Sequence, residues 1–206
     1  MILHPRRGED GKPLRLHKPS RGTLLESWLD VDAFAQVIPD GAMPAGLHNV
    51  SFKTWADAPS TQEEWEALAA HTRFDEPKFE PKAGRKSAAG VVIQEPDGRV
   101  WGFAPSNAYG GYKATFPKGG LDGLSMKAAA IKEAFEETGL KVELVGFLVD
   151  VLRTTSYSRY YLARRTGGNP ADMGWEAQAV MLVPKVQLVD VYAHPFDARI
   201  VAAIST

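Results

Sequence analysis

Gly119-Gly120-Leu121-Asp122-Gly123-Leu124-Ser125 leads into Met126-Lys127-Ala128-Ala129-Ala130-Ile131-Lys132-Glu133-Ala134-Phe135-Glu136-Glu137-Thr138-Gly139-Leu140. The apolar spacing predicts a helix from about Ser125 to Thr138 that stops at Gly139, because glycine accepts the left-handed conformation that closes a helix. Ala128, Ile131, Phe135 and Thr138 form a stripe able to dock on a sheet. Glu133, Glu136 and Glu137, at i, i+3 and i+4, share another face, so their oxygens can meet. Three like charges there repel, and a bound hard cation relieves that. Oxygen donors without thiolate point to Mg2+ or Mn2+. Taken alone, such a trio is more often a solvated charged face. The preceding run Pro117–Gly123 shifts the balance, because its glycines let backbone approach a phosphate or metal closely.

Outward from this stretch, Ala88–Gln94 and Val100–Phe103, separated by Glu95-Pro96-Asp97-Gly98, read as a hairpin. Lys113–Phe116 reads as a short strand entering the Gly-rich loop. Strands are expected over 141–153, 157–164 and 177–183, and short helices near 186–193 and 196–204. Strands on both sides of one central helix, with more helix at the end, imply an α/β sandwich on a mixed sheet. Before this region, the first 20 residues read as an irregular arm. Residues 23–37 leave helix and strand open, and Pro39-Asp40-Gly41 is a turn. Ser60-Thr61-Gln62-Glu63 has capping-box spacing, which predicts a helix over about 61–71. Pro77 and Pro81 mark a linker.

The stretch 119–140 resembles the Nudix box: Gly, five residues, Glu, seven residues, then Arg-Glu-apolar-x-Glu-Glu-x-Gly-apolar. Glu133, Ala134, Glu136, Glu137, Gly139 and Leu140 fall in register, and Lys132 stands for Arg. The lead-in Phe116-Pro117-Lys118-Gly119-Gly120 is also similar to family members. Two departures stand out. Leu124 occupies the first Glu position, and the loop ahead of it is one residue short. The resemblance covers roughly residues 84–204. It implies a Nudix-like α/β/α sandwich (α/β, α+β class) at 84–206, with residues 1–80 as an extra N-terminal segment. That segment has three open roles: covering the substrate site, forming the interface of a homodimer, or binding a separate partner.

The resemblance further implies a divalent-metal-dependent pyrophosphohydrolase. Glu136 and Glu137 would be metal ligands, with Glu133 a third ligand or the group orienting the attacking water. The Lys118 carbonyl would complete the metal sphere, and Lys132 would hold Glu133 by ion pairing. Lys118, Gly119 and Gly120 would meet the substrate phosphates. Glu176, just before a late strand, is the candidate general base. Arg85 and Arg153 are candidate phosphate contacts, as are Arg159, Arg164 and Arg165, with surface solvation the default for each. The expected substrate is a nucleoside diphosphate-linked or polyphosphate compound of dinucleoside polyphosphate, diphosphoinositol polyphosphate or ADP-ribose type. A Nudix-fold sensor that binds a nucleotide without turnover is the competing reading, favoured by Leu124 and the short loop.

Composition narrows the setting. A formal net charge of -1 provides no whole-molecule field for nucleic acid or anionic lipid, so a small phosphate-containing substrate is expected rather than a nucleic acid polymer. The chain has no cysteine, which excludes disulfides, thiolate metal sites and a cysteine nucleophile, and suits a cytoplasmic protein. No apolar run is long enough to span a bilayer. The five histidines show no ligand spacing.

Overall fold

The computed structural model describes residues 2–204, without the side chain of Asn107. Met1, Ser205 and Thr206, the outer ends of the two expected segments, lie outside the described residues. Chain order runs β1 (Ala35–Val37), β2 (Gly46–Leu47), β3 (Val50–Ser51), α1 (Gln62–Ala69), β4 (Lys86–Gln94), β5 (Val100–Pro105) and β6 (Lys118–Gly120). It continues with α2 (Met126–Thr138), β7 (Leu140–Leu152), β8 (Ser156–Gly168), β9 (Ala177–Val183), α3 (Leu188–Val191) and α4 (Pro195–Ile204). The main sheet has the order β1-β9-β5-β4-β8-β7, with β6 also paired to β4. β4 and β8 are parallel and the other pairs antiparallel, so the sheet is mixed.

Side chains alternate between the two faces along each strand. Val91, Ile93, Val180 and Leu182 point into the layer holding α1 and α2; Val92, Ala179, Met181 and Val183 join Ile200 and Val201 on the side of α4. Because both faces are covered, β4 and β9 read as continuous apolar runs. The result is an α/β/α sandwich.

The N-terminal segment shares this core. β1 extends the sheet by pairing with β9. Trp28 packs on Trp101 with ring centres 5.7 Å apart, and Trp55 meets Phe135 of α2 at 5.1 Å. Arg165 crosses the junction: it pairs with Glu95 at 2.6 Å and donates to the carbonyls of Leu47 (2.9 Å) and Val50 (3.2 Å). The stretch expected to be a linker is fastened too, since Arg159 donates to Pro77 O at 2.8 Å and to Glu76 at 3.0 Å.

Three local expectations need correction. The strand expected at 113–116 shrinks to a bridge between Thr115 and Phe103, and pairing resumes at Lys118–Gly120, inside the supposed loop. Small residues permit this: a Cβ on Gly90 would collide with Pro117 O and Lys118. The capping box of α1 is one residue later than expected, Thr61 with Glu64. That register turns Trp65 and Ala69 inward. Residues 23–37 hold both candidate structures in short form, a 3-10 turn at Leu25–Trp28 and then β1.

Candidate active site

Helix α2 starts at Ser125, whose hydroxyl accepts from Ala128 N–H, and ends at Gly139 with φ 69°. Glu66 of α1 also accepts from the Ser125 hydroxyl at 2.8 Å, so the N-terminal segment helps set where the acidic helix begins. Neighbouring β6 then delivers backbone to the carboxylates. Lys118 N–H donates to Glu137 Oε2 at 2.7 Å. The Glu133 carboxylate lies against Gly119, where any Cβ would overlap it. Glycine is required there for space.

The three glutamates are not equivalent. Glu133 and Glu137 are buried, at 8% and 6% exposure, whereas the Glu136 side chain is about half exposed at 48%. Burial first, and then the Glu136 charge, push the Glu133 carboxyl up to about 7. Burial, reinforced by Glu133, raises Glu137 well above the usual carboxylate range. Glu176 is raised as well, by burial and then by Glu136. These carboxylates therefore repel one another in a poorly solvated place.

Lys132 differs from expectation. Its ammonium bonds Glu136 at 2.6 Å rather than Glu133. Adjacent helical residues diverge around the axis, while i and i+4 face each other. Glu133 thus keeps no hydrogen-bonded partner among the described residues, which suits an added cation. Among the described residues no three Asp, Glu or His side chains form a closed ligand cage. What fits a divalent cation is charge and donor type: hard carboxylate oxygens, of which those of Glu133 have no hydrogen-bonded cation.

Two cavities flank the carboxylates. One, of about 510 Å3, is bounded by Glu133, Glu136 and Glu176 together with Arg6 and Glu9. The other, of about 450 Å3, is lined by Lys118 and Glu137 and by the rings of Tyr109, Tyr112 and Phe196. Glu176 is thereby brought to Glu133 and Glu136, and Lys118 to Glu137. Arg85 is exposed ahead of β4 and lines neither cavity. Arg153 lines the second cavity, but its guanidinium is buried and bonded to Tyr112, Tyr160 and Asp197 at 2.6, 2.7 and 2.6 Å. Surface solvation fails for Arg153, Arg159 and Arg165, which are buried, and holds for Arg164. Sequence reasoning missed Arg6, Glu9 and Tyr112. None carries a motif, and only the fold brings them to the site.

Leu124 is buried at 6% in the same core as α2. Restoring the motif by Leu124→Glu is therefore expected to destabilise the protein by about 2–4 kcal/mol, since it puts an unpaired carboxylate in an apolar site. A denaturant titration checks this; unchanged stability with higher activity would contradict it.

The raised carboxyl of Glu133 also sets a pH dependence. Below about pH 4.5 the group is protonated in both folded and unfolded chains and costs nothing. As pH rises from there to about 7, the unfolded chain ionises first, so stability falls; the loss, about 3 kcal/mol from this group, is complete above pH 7. With metal chelated, the melting temperature should fall between pH 5 and pH 8, and Mg2+ should restore it at pH 8. A metal-free Glu133→Gln variant that retained the full decline would exclude Glu133 as its source.

The α/β/α sandwich is the fold that the box resemblance implied, although the glycines it placed in a loop lie in β6. The chain belongs to the NUDIX domain family, whose model matches residues 84–204. An RNA pyrophosphohydrolase of Caulobacter vibrioides is 36% identical over 110 residues, 52% of this chain and 57% of that protein. The chain thus spans little more than half the length of this curated relative. A NUDIX hydrolase structure from Nitrosomonas europaea aligns with TM-score 0.50 and 14% identity, over 59% of this chain and 88% of that one, a likeness of fold. The C. elegans Ap4A hydrolase binary complex aligns with TM-score 0.47 and 22% identity, over 57% and 92%. Among the described residues no helix is long and apolar enough to cross a membrane.

Proposed function

We propose that this chain is a divalent-metal-dependent pyrophosphohydrolase that cleaves a diphosphate linkage in a nucleoside diphosphate-linked or polyphosphate substrate. The observation carrying this reading is the pair of buried, mutually repelling carboxylates Glu133 and Glu137 set against the Lys118–Gly119 backbone. Mg2+ or Mn2+, held by Glu133, Glu136 and Glu137 with the Lys118 carbonyl, supplies charge neutralisation and Lewis acidity when bound. Lys118 holds phosphate oxygens, and Gly119 and Gly120, which carry no side chain, leave room for them. Lys132 orients Glu136. Glu176 takes the proton from water as the water oxygen bonds to phosphorus. The bridging P–O bond breaks, and the second phosphate leaves as the anion. Burial, reinforced by the Glu136 charge, raises the Glu176 carboxyl above its usual range and so makes it a stronger proton acceptor. Absence of cysteine suits a cytoplasmic setting.

The Caulobacter vibrioides relative favours a second substrate, the 5′-polyphosphate end of an RNA, against the expectation that no nucleic acid polymer is bound. The aromatic cavity beside Glu137 is compatible with a nucleobase from either source. The experiment is a panel with Mg2+ and with Mn2+: a dinucleoside tetraphosphate, ADP-ribose, a diphosphoinositol polyphosphate and a 5′-triphosphorylated RNA. Metal-dependent cleavage of any of them supports the hydrolase. Tight binding across the panel with no cleavage makes the chain a sensor.

A further inference from the structure

We propose that the N-terminal arm, residues 2–17, completes the substrate site by presenting Arg6 as the phosphate-binding cation of the carboxylate cavity. This rests on the diphosphate-cleaving reading above. The arm is docked rather than trailing. Its two sides pair through His4 N–H to Leu14 O (2.8 Å) and Leu16 N–H to Ile2 O (3.0 Å), and His4 and Leu16 are both buried. The buried Gln178 amide clasps it, accepting from His17 N–H at 2.6 Å and donating to Arg15 O at 3.0 Å. Gln178 stands two residues after Glu176, so the arm is anchored beside the candidate base. The His4 ring then accepts from Arg6 N–H at 3.0 Å, which fixes the turn that carries Arg6 to the cavity.

Charge makes the case. Glu9, Asp122, Glu133, Glu136 and Glu176 all border this cavity, and its cations are Arg6 and Lys132. Lys132 is held by Glu136 at 2.6 Å. Within the arm, Arg7 donates to Gly11 O at 3.0 Å and Lys12 pairs with Asp10 at 2.7 Å. Among the described residues, the Arg6 guanidinium has neither hydrogen bond nor ion pair. Of the two cations lining this cavity it is the one no side chain holds, and its planar fork matches two oxygens of a phosphate.

The test uses the full chain with Mg2+ and inorganic pyrophosphate as the titrant in calorimetry. Arg6→Ala should weaken pyrophosphate binding about 10-fold or more, Arg6→Lys should recover part of it, and Arg7→Ala should stay within about twofold. Unchanged melting temperatures would show that each variant folds. On a cleavable diphosphate, Arg6→Ala should raise KM about 10-fold and alter kcat less than about threefold. The inference is overturned if Arg6→Ala binds within twofold of the unsubstituted chain, or if Arg7→Ala loses as much as Arg6→Ala. It is overturned equally if the unsubstituted chain does not bind pyrophosphate. Arg6-dependent binding in a chain that cleaves no diphosphate would uphold the arm's role and remove the hydrolase reading. Cleavage with Arg6-independent binding would do the reverse.

Discussion

Glu137→Gln is expected to lower kcat at least about 100-fold and to leave the fold intact. The side chain keeps its shape and an oxygen to accept from Lys118 N–H, which now lies 2.7 Å from Oε2. What it loses is charge. Glu137 is buried, and burial and then the Glu133 charge raise its proton affinity, so a neutral amide removes that cost when metal is chelated. The melting temperature of the chelated variant should match or exceed that of the unsubstituted protein, while the rise produced by Mg2+ shrinks. The two readings move in opposite directions. A variant that simply misfolds would lose stability and activity together. Turnover within threefold of the unsubstituted enzyme would remove Glu137 from the site.

Arg165→Ala should cost about 3–5 kcal/mol, and roughly 10 °C or more in melting temperature. The residue is fully buried, pairs with Glu95 at 2.6 Å and satisfies the carbonyls of Leu47 and Val50. Its guanidinium also lies 4.5 Å from the Phe52 ring centre. Truncation strands the Glu95 carboxylate, at 4% exposure, with Trp101 Nε1–H at 2.7 Å as its remaining side-chain donor. Removing both charges together, as Glu95→Gln with Arg165→Met, should recover part of the loss, because the damage comes from an uncompensated buried charge. A shift below 2 °C for Arg165→Ala would show that the N-terminal segment does not depend on this residue.

By itself the sequence determined the acidic helix. Its start near Ser125, its stop at Gly139 and the common face of its three glutamates follow from the helical repeat and from glycine's access to positive φ, which are properties of neighbouring residues. Strands 140–152 and 177–183 were legible for the same reason, because β-branched and apolar runs bounded by turn residues announce themselves locally. Only the tertiary structure decided which glutamates are buried, that Lys132 turns to Glu136, and that Lys118–Gly120 pairs with β4. It also decided the fate of the arginines. Arg165 meets a carboxylate 70 positions away and Arg159 one 83 positions away, and no local spacing encodes such partners. A buried charge is tolerable only where distant segments bring its counter-charge and carbonyls to it, so its place is settled by the assembled fold.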